Sequence, residues 1–372
     1  MPELSIIFGY RNRDISRVDR CLASLGRQTR TDFEIVFVDY GSDAATAKAM
    51  QAVVSKYEHA RYVYSDTRGW PWNRSRALNI GIRQAKGNYL MTTDVDMVYP
   101  NDFVERMLEG ADPSEVRHIY HYFLPKGFSD WANVDSNKKD PAGETAFGAC
   151  HMTHRQNLEK MQGFDEYYCF WGVEDRDVNT REKAMGLNVR WMNDTTYMHH
   201  QWHPTVNNVT PGFMPDGWWF KMENHYHRHL DQIVRNGDSW GQIQTKADRP
   251  IFDFIDFEKQ QLLQQDKVHL LDAKPWQNRS ITLFMDAWRD LPSGHVLLMK
   301  NAFYPFQKKL TRWLAWLKGA NKYTKFLLYD FDISKNLLHR QVYEFCLENA
   351  DEVSDYYLAL PFENGLTLIR KK

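Results

Sequence analysis

Leu90-Met-Thr-Thr-Asp-Val-Asp-Met-Val-Tyr-Pro100 is the stretch that decides the fold of this 372-residue chain. Its apolar start indicates a buried strand, which ends in the carboxylates of Asp94 and Asp96. Ligands of an open α/β sheet bind at the carboxyl ends of its strands. Two carboxylates there suit a divalent cation that also holds a phosphate. Because an Asp-x-Asp sequence also occurs in ordinary turns, this interpretation depends on the flanking sequence.

Strands and helices alternate on the N-terminal side of this stretch. The pattern predicts strands at residues 4–10, 33–39 and 61–65, with helices between them. This alternation predicts an α/β fold with a Rossmann-like, mostly parallel sheet and helices on both faces. Asp39 closes the second strand, so we expect its carboxylate at the same edge of the sheet as Asp94. A helix-capping turn explains Asp39 equally well.

Two arginines occupy the first turn of the helix that precedes the central strand. Arg74 and Arg76 follow Trp72-Asn73 directly. The positive end of the helix dipole disfavours cations at this position. We therefore expect an anion nearby, and a bound diphosphate and a neighbouring aspartate are equally good choices.

Phe170-Trp-Gly-Val-Glu-Asp-Arg-Asp177 is the second informative stretch. Its carboxylates, Glu174, Asp175 and Asp177, open a predicted helix, where acidic residues ordinarily just stabilise the dipole. Three of them in four residues are more than a helix start needs. We expect them to be ionised at neutral pH and able to accept a proton or a hydrogen bond from a sugar hydroxyl.

Three histidines follow the predicted strand at residues 188–192. They are His199, His200 and His203, and a turn there would present His200 and His203 to one metal ion. Imidazole together with carboxylate favours Mn²⁺ over Mg²⁺.

The bulk composition narrows the function classes. A net charge of -1 gives no preference for nucleic acid or an anionic membrane. Four scattered cysteines, with no signal peptide expected and no apolar run near the ~20 residues of a transmembrane helix, predict a cytoplasmic protein. The 13 Trp, 19 Tyr and 21 Phe suit sugar stacking, although aromatic cores are an alternative. Oligomeric state and peripheral contact with a membrane-borne acceptor stay open.

The C-terminal part differs in character. We expect a first domain at residues 1–248, of which about 205–248 form a lid or acceptor-binding region, and a small α/β unit of unknown role at 249–372. The remaining predicted elements are strands at 118–124, 146–152, 281–285, 296–299, 325–329 and 366–369, and helices at 101–110, 310–317 and 340–350.

Together these stretches resemble the GT-A glycosyltransferases of family 2 joined to the C-terminal motif of the β-1,4-galactosyltransferases, as in chondroitin polymerase-like enzymes. The resemblance covers roughly the first 205 residues. Tyr10-Arg-Asn-Arg13 resembles the first-strand motif, with Gly9 in place of the usual proline. Trp72-Asn-Arg-Ser-Arg76 resembles the helix whose first arginine contacts the nucleotide, which implies that role for Arg74. Asp94-Val-Asp96 resembles the metal-binding Asp-x-Asp motif, with Asp96 the more direct ligand.

The acceptor side carries the rest of the resemblance. Gly163-Phe-Asp-Glu166 and Trp171-Gly-Val-Glu-Asp175 are similar to the acceptor-side motif, which implies that Asp175 is the catalytic base and Glu174 binds the acceptor. His200 resembles the metal histidine, and His199 and His203 remain alternatives. The implied donor-binding residues are Tyr10, Arg11, Arg13, Asp39, Arg74, Asp94, Val95, Trp171 and Gly172.

The resemblance implies an inverting, metal-dependent hexosyltransferase, with Mn²⁺ or Mg²⁺ as cofactor. It would move a sugar from a UDP-sugar of the galactose or N-acetylgalactosamine type to a saccharide acceptor in surface polysaccharide biosynthesis. One alternative is a sugar-binding or scaffolding module with a degenerate site. Another is a sugar-phosphate nucleotidyltransferase, for which Gly9-Tyr-Arg-Asn-Arg13 is a poor phosphate loop.

Overall fold

The computed structural model describes residues 2–138, 147–204, 214, 217–256, 259, 261–263, 266–271, 281–300, 337–358 and 366–372. The chain divides into two compact units. The first consists of Met1–Arg68, Trp72–Thr205 and Phe220–Gln244, and the second of Gly69–Pro71, Val206–Trp219 and Thr245–Lys372. The predicted helix at 310–317 and the predicted strand at 325–329 lie outside the described residues, as do residues 205–213 and 215–216 of the predicted lid.

A seven-stranded sheet in the order β3-β2-β1-β4-β8-β6-β9 organises the first unit. Its strands are β1 (Leu4–Tyr10), β2 (Phe33–Tyr40), β3 (Ala60–Ser65), β4 (Tyr89–Thr93), β6 (Glu115–His118), β8 (Cys150–His154) and β9 (Asn188–Trp191). All neighbouring pairs are parallel except those of β8, which runs antiparallel to β4 and β6. The predicted α/β class with a mostly parallel sheet is confirmed.

Two cores cover the two faces of this sheet. The helices are α1 (Ile15–Leu25), α2 (Ala44–Val54), α3 (Arg74–Gln84), α4 (Phe103–Leu108), α5 (Arg155–Met161) and α6 (Glu174–Ala184). Ile6 and Phe8 of β1 belong to the core that α1, α2 and α4 close, whereas Ile7 belongs to the core of α3, α5 and α6. Successive side chains of a strand point to opposite faces, so the helices lie on both faces, as predicted.

Strand register brings the ends of β1, β2 and β4 together. Tyr10 pairs with Asp39, and Phe8 pairs with Thr93, the residue before Asp94. A second, three-stranded sheet then forms beyond β4 from β5 (Met97–Val98), β7 (His121–Phe123) and β10 (Met198–His200). In it His200 pairs with Met97, which brings the histidine strand to the residue after Asp96.

The second unit has its own sheet, in the order β13-β14-β16-β15. A two-stranded sheet, β11 (Ile255–Asp256) and β12 (Gln261–Leu262), precedes it. The four strands are β13 (Val268–Leu271), β14 (Val296–Lys300), β15 (Val353–Leu358) and β16 (Leu366–Lys371), and the helices are α8 (Ile281–Asp290) and α9 (Leu337–Glu348). The strands predicted at 296–299 and 366–369 are confirmed. The strand predicted at 281–285 is wrong, because this segment forms α8 and buries Phe284 and Trp288, which are one helical turn apart.

Two other local predictions need correction, and one helix lies in the region predicted as a lid. The strand predicted at 118–124 is interrupted at Ile119–Tyr120, so that β6 and β7 belong to different sheets. The strand predicted at 146–152 begins as a 3₁₀ turn at Phe147–Ala149 and pairs only as β8. Part of the predicted lid is helix α7 (Trp218–Arg228).

Candidate active site

Arg74 joins two of the predicted site carboxylates. Its Nη1 lies 2.7 Å from Asp175 Oδ1, and its Nη2 lies 3.3 Å from Asp94 Oδ1. Nη2 also donates to the Gly148 carbonyl oxygen at 2.8 Å. Burial lowers the pKa of Arg74, but Asp175 and Asp94 outweigh this effect and the net pKa is raised. Of the two anions expected beside Arg74, the structure shows the neighbouring aspartates.

A strained turn places Asp175 opposite Arg74. Phe170, Gly172 and Val173 all have positive φ angles, of 74°, 95° and 75°. This conformation is an outlier for a β-branched residue such as Val173, and strain of this kind concentrates at functional sites. The Phe170 amide donates to the Trp72 carbonyl oxygen at 2.7 Å, which fixes the turn against the start of α3. Helix α6 then begins at Glu174, with Trp171 60% exposed in front of it.

Glu174 and Asp175 have different surroundings. Burial, followed by the charge of Asp175, raises the pKa of Glu174 to about 7 despite Arg74. The expectation that this carboxylate is fully ionised at neutral pH is therefore wrong, because the sequence does not show its burial. Asp175 instead packs against Gly148: a Cβ atom on Gly148 would lie 2.0 Å from Asp175 Oδ2.

Asp96, His200 and His203 form a second cluster, whose possible ligand atoms all lie within 4.8 Å of one another. His203 Nε2 is 3.1 Å from Asp96 Oδ2, and His200 Nε2 is 3.6 Å from Asp96 Oδ1. Asp96 Oδ1 is buried and has no hydrogen-bond partner among the described residues. One carboxylate and two imidazoles with an unsatisfied buried oxygen fit a divalent transition metal.

The strand pairing selects among the three histidines. His199 points away from Asp96, and its Nε2 donates to the Asn137 carbonyl oxygen at 2.9 Å. Burial raises the pKa of Asp96, but the hydrogen bond from His203 and the charges of both imidazoles hold it below its usual range. Asp96 is thus an anion at neutral pH, the form that binds a cation.

Four of the predicted donor-binding residues turn inward. Tyr10 is buried and its hydroxyl donates to the Arg13 carbonyl oxygen at 2.8 Å. Arg11 donates to the Tyr40 and Thr67 carbonyl oxygens. Asp39 is buried, accepts from the Ser42 amide at 2.8 Å and from the Tyr62 hydroxyl at 2.7 Å, and burial raises its pKa. Val95 is a core residue. Arg13 is exposed beside them.

Asp177 does not join Glu174 and Asp175. It forms a buried ion pair with Arg181 at 2.8 Å and another with Arg235 at 2.5 Å. Glu166 is similarly used within the fold, because it accepts from Asn79 at 3.0 Å and from the Gly241 amide at 2.7 Å. The acidic cluster therefore divides into two site residues and one residue that ties α6 to its neighbours.

The sequence reasoning missed Gly148. It contacts Asp175 across 27 positions of the chain, so no local pattern reveals it (175 − 148 = 27). The sequence analysis also assigned no functional role to residues 123–137, which flank His200 and His203. Their aromatic and amide side chains were the only signal.

Among the residues that the structure describes, no helix is both long and apolar enough to cross a bilayer.

Comparisons with known proteins identify a glycosyltransferase match for part of the chain. The model of the glycosyl transferase family 2 matches residues 5–174. Beta-1,4-galactosyltransferase 3 of Homo sapiens is 30% identical over 132 residues, which make up 34% of this chain and 30% of that protein. Validoxylamine A glucosyltransferase of Streptomyces hygroscopicus subsp. limoneus is 27% identical over 229 residues, 50% of this chain and 49% of that protein. The chain thus spans half or less of the length of these curated relatives.

A solved structure of GalNAc-T7 with UDP, GalNAc and Mn²⁺ superposes with a TM-score of 0.45 and 14% identity, over 61% of this chain and 50% of that one. The family model and the two relatives confirm the resemblance that the sequence motifs indicated. Residues 5–174 thus match glycosyl transferase family 2, the family that the sequence motifs resemble.

Proposed function

We propose that this protein is an inverting, metal-dependent hexosyltransferase. It moves a sugar from a UDP-sugar of the galactose or N-acetylgalactosamine type to a saccharide acceptor. The observation that carries the proposal is that one short segment serves two clusters. Asp96 belongs to the cation-type cluster with His200 and His203, while Asp94, two residues earlier, belongs to the cluster of Arg74 and Asp175. A leaving-group site and an acceptor-activating site thus adjoin each other.

The cation-type cluster would hold the metal, for which its N₂O donor set favours Mn²⁺ over Mg²⁺. When bound, the metal supplies neutralisation of the charge that grows on the departing diphosphate. Asp96 provides the anionic oxygen for it, and β10 holds His200 opposite through the pairing of His200 with Met97. Arg74 adds a fixed positive charge next to Asp94.

Asp175 is the proposed base, which accepts the proton of the acceptor hydroxyl as that oxygen attacks the anomeric carbon. The carbon–oxygen bond to the diphosphate breaks at the same step, so the configuration inverts. Glu174, whose pKa is about 7, hydrogen-bonds the acceptor in either protonation state. Trp171 offers an exposed ring for the face of a sugar.

The names of the relatives support the choice of donor. One is a galactosyltransferase and another a glucosyltransferase, so UDP-galactose is the first donor to test and UDP-glucose a second. We further propose that the protein acts in surface polysaccharide biosynthesis and is located in the cytoplasm. Residues 1–248 are the proposed transferase domain.

Product analysis tests this function. The full chain is incubated with Mn²⁺, UDP-galactose or UDP-N-acetylgalactosamine, and a panel of saccharides. We expect UDP release that depends on the acceptor and a β-linked product by NMR. Asp175→Asn should lower turnover by about 10³-fold, and the matched control Asp231→Asn, an exposed aspartate, should not change it. Pyrophosphate release would indicate a nucleotidyltransferase, and saccharide binding without UDP release would indicate a binding module.

A further inference from the structure

A groove of about 910 Å³ opens beside the Asp96 cluster. His200 and His203 close one end of it, and residues 123–137 with Trp202 form the rest of its wall. We call it the aromatic groove, after Phe123, Phe128 and Trp202. Its volume is in the range of sites that bind small ligands. Neither the proposed base Asp175 nor Trp171 lines it, so it extends the site described above on the side of His200 and His203.

The lining of the aromatic groove combines two kinds of surface. Phe123 and Trp202 are 44% and 43% exposed; the Phe123 ring lies 5.4 Å from the His200 ring, and the Trp202 ring lies 5.0 Å from the Lys126 ammonium. Asp130, Asn133 and Asn137 provide carboxylate and amide groups on the same groove. A pyranose ring has C–H faces that pack on aromatic rings and hydroxyl edges that bond to such polar groups. A lipid chain would have no use for the polar side.

The groove is attached to the strand that carries His200. The Leu124 amide donates to the His200 carbonyl oxygen at 2.9 Å, and His199 Nε2 donates to the Asn137 carbonyl oxygen at 2.9 Å. Val134, in the 3₁₀ helix Trp131–Ser136, is buried with Leu124 and Val98 in a small core. The segment at Leu124 and the 3₁₀ helix Trp131–Ser136 are thus fixed relative to the cation-type cluster. A preformed site of this kind loses less entropy on binding.

We propose that the aromatic groove is a saccharide subsite, which holds a sugar unit of the acceptor other than the one that is glycosylated. This inference rests on the proposed function, since the groove ends at the histidines that would hold the donor's metal. It assigns the acceptor to oligosaccharides of at least two units. A monosaccharide acceptor would leave Phe123 and Trp202 uncovered.

The test measures saccharide binding and donor binding separately. The full chain, loaded with Mn²⁺ and UDP, is applied to an array of defined oligosaccharides, and the strongest binder is titrated by calorimetry. We expect Trp202→Ala and Phe123→Ala each to weaken that binding by about tenfold. Phe220→Ala is the matched control, because Phe220 is an aromatic residue that is 72% exposed and does not line the groove. Metal-dependent UDP binding should be the same in all three variants.

Equal saccharide affinity in wild type, Trp202→Ala and Phe123→Ala would overturn the subsite, and so would a wild-type protein that binds UDP with Mn²⁺ but no saccharide. A variant that loses binding to vesicles with polyprenyl phosphate, while keeping its saccharide affinity, would assign the groove to lipid and also overturn it. Failure of UDP binding in the wild type would instead contradict the proposed function. The saccharide titration would still show whether the groove binds a saccharide.

Discussion

Arg74 Nη1 lies 2.7 Å from Asp175 Oδ1, so the guanidinium at the start of α3 neutralises the carboxylate at the start of α6. Asp94, at the end of β4, is the second partner of the same guanidinium at 3.3 Å. Three elements, α3, β4 and α6, therefore meet at one cation. Glu174 adds a further carboxylate whose charge raises the pKa of Arg74.

Removing Arg74 should destabilise the fold in a pH-dependent manner. Arg74→Met leaves the buried Glu174 and the partly exposed Asp94 and Asp175 without their cation. An uncompensated buried charge costs about 3 kcal/mol, and the exposure of the two aspartates reduces their share of this cost. Acid relieves this cost, since the pKa of Asp94, about 6, and that of Glu174, about 7, rise further without Arg74. Urea unfolding should show a larger loss at pH 8 than at pH 5. Arg76→Met, which removes an arginine from the same turn of α3, is the control. An equal loss of stability at both pH values in Arg74→Met would contradict the account.

Gly148→Ala should impair catalysis without affecting donor binding. The new Cβ would occupy space 2.0 Å from Asp175 Oδ2, so the carboxylate must move. A displacement of about 1 Å at a reacting group can cost about 10²-fold in rate. We expect kcat to fall by about that factor while the Kd for UDP stays unchanged. Gly237→Ala, where no atom lies within 4 Å of the new Cβ, should behave as wild type.

Glu174→Gln should stabilise the protein at alkaline pH. The pKa of Glu174 is about 7 in the folded state against 4.5 ordinarily, so the folded state disfavours the charged form. The resulting loss of stability is absent below pH 4.5, grows as the pH rises to 7 and is complete above it. At pH 8 the free energy of unfolding of Glu174→Gln, measured by thermal unfolding, should exceed that of wild type by on the order of 1–3 kcal/mol. The two proteins should converge near pH 4.5; a constant difference would argue against burial as the cause.

The three histidines should differ in metal binding. His200→Ala and His203→Ala each remove a nitrogen that faces Asp96, so Mn²⁺ affinity should fall by about tenfold or more. His199→Ala removes only the hydrogen bond to Asn137 and should leave Mn²⁺ affinity within about twofold, although it lowers stability by about 1 kcal/mol. Mn²⁺ titration followed by EPR measures all three. Weaker binding in His199→Ala alone would reverse the assignment.

The sequence predicted the features that depend on neighbouring residues. The apolar run before Asp94 and the alternation of strands and helices are local patterns, and the sheet edge with Asp39 and Asp94 follows from them. Asp96, His200, Glu174 and Asp175 were singled out because polar residues cluster after a strand or before a helix. Helix α8 was missed because Ile281-Thr-Leu-Phe-Met285 is apolar except for Thr282, and only Trp288 reveals its helical spacing.

Features that depend on distant residues were not predicted. The contact of Gly148 with Asp175 and the burial that raises the pKa of Glu174 depend on residues that are distant in the chain, and the first arises where the 3₁₀ turn Phe147–Ala149 meets α6. The sequence likewise gave no reason to separate Asp177 from Asp175. Arg235, which pairs with Asp177, lies 58 positions away in the chain (235 − 177 = 58).

Calorimetric titration of UDP, with Mn²⁺ and then with EDTA, tests the central claim most directly, namely that the end of β4 holds a nucleotide-sugar through a metal. We predict binding that requires Mn²⁺, that is lost in Asp96→Ala, and that persists in the control Asp102→Ala, whose exposed side chain pairs only with Arg106 among the described ion pairs. Binding that is indifferent to EDTA, or that survives in Asp96→Ala, would contradict the account.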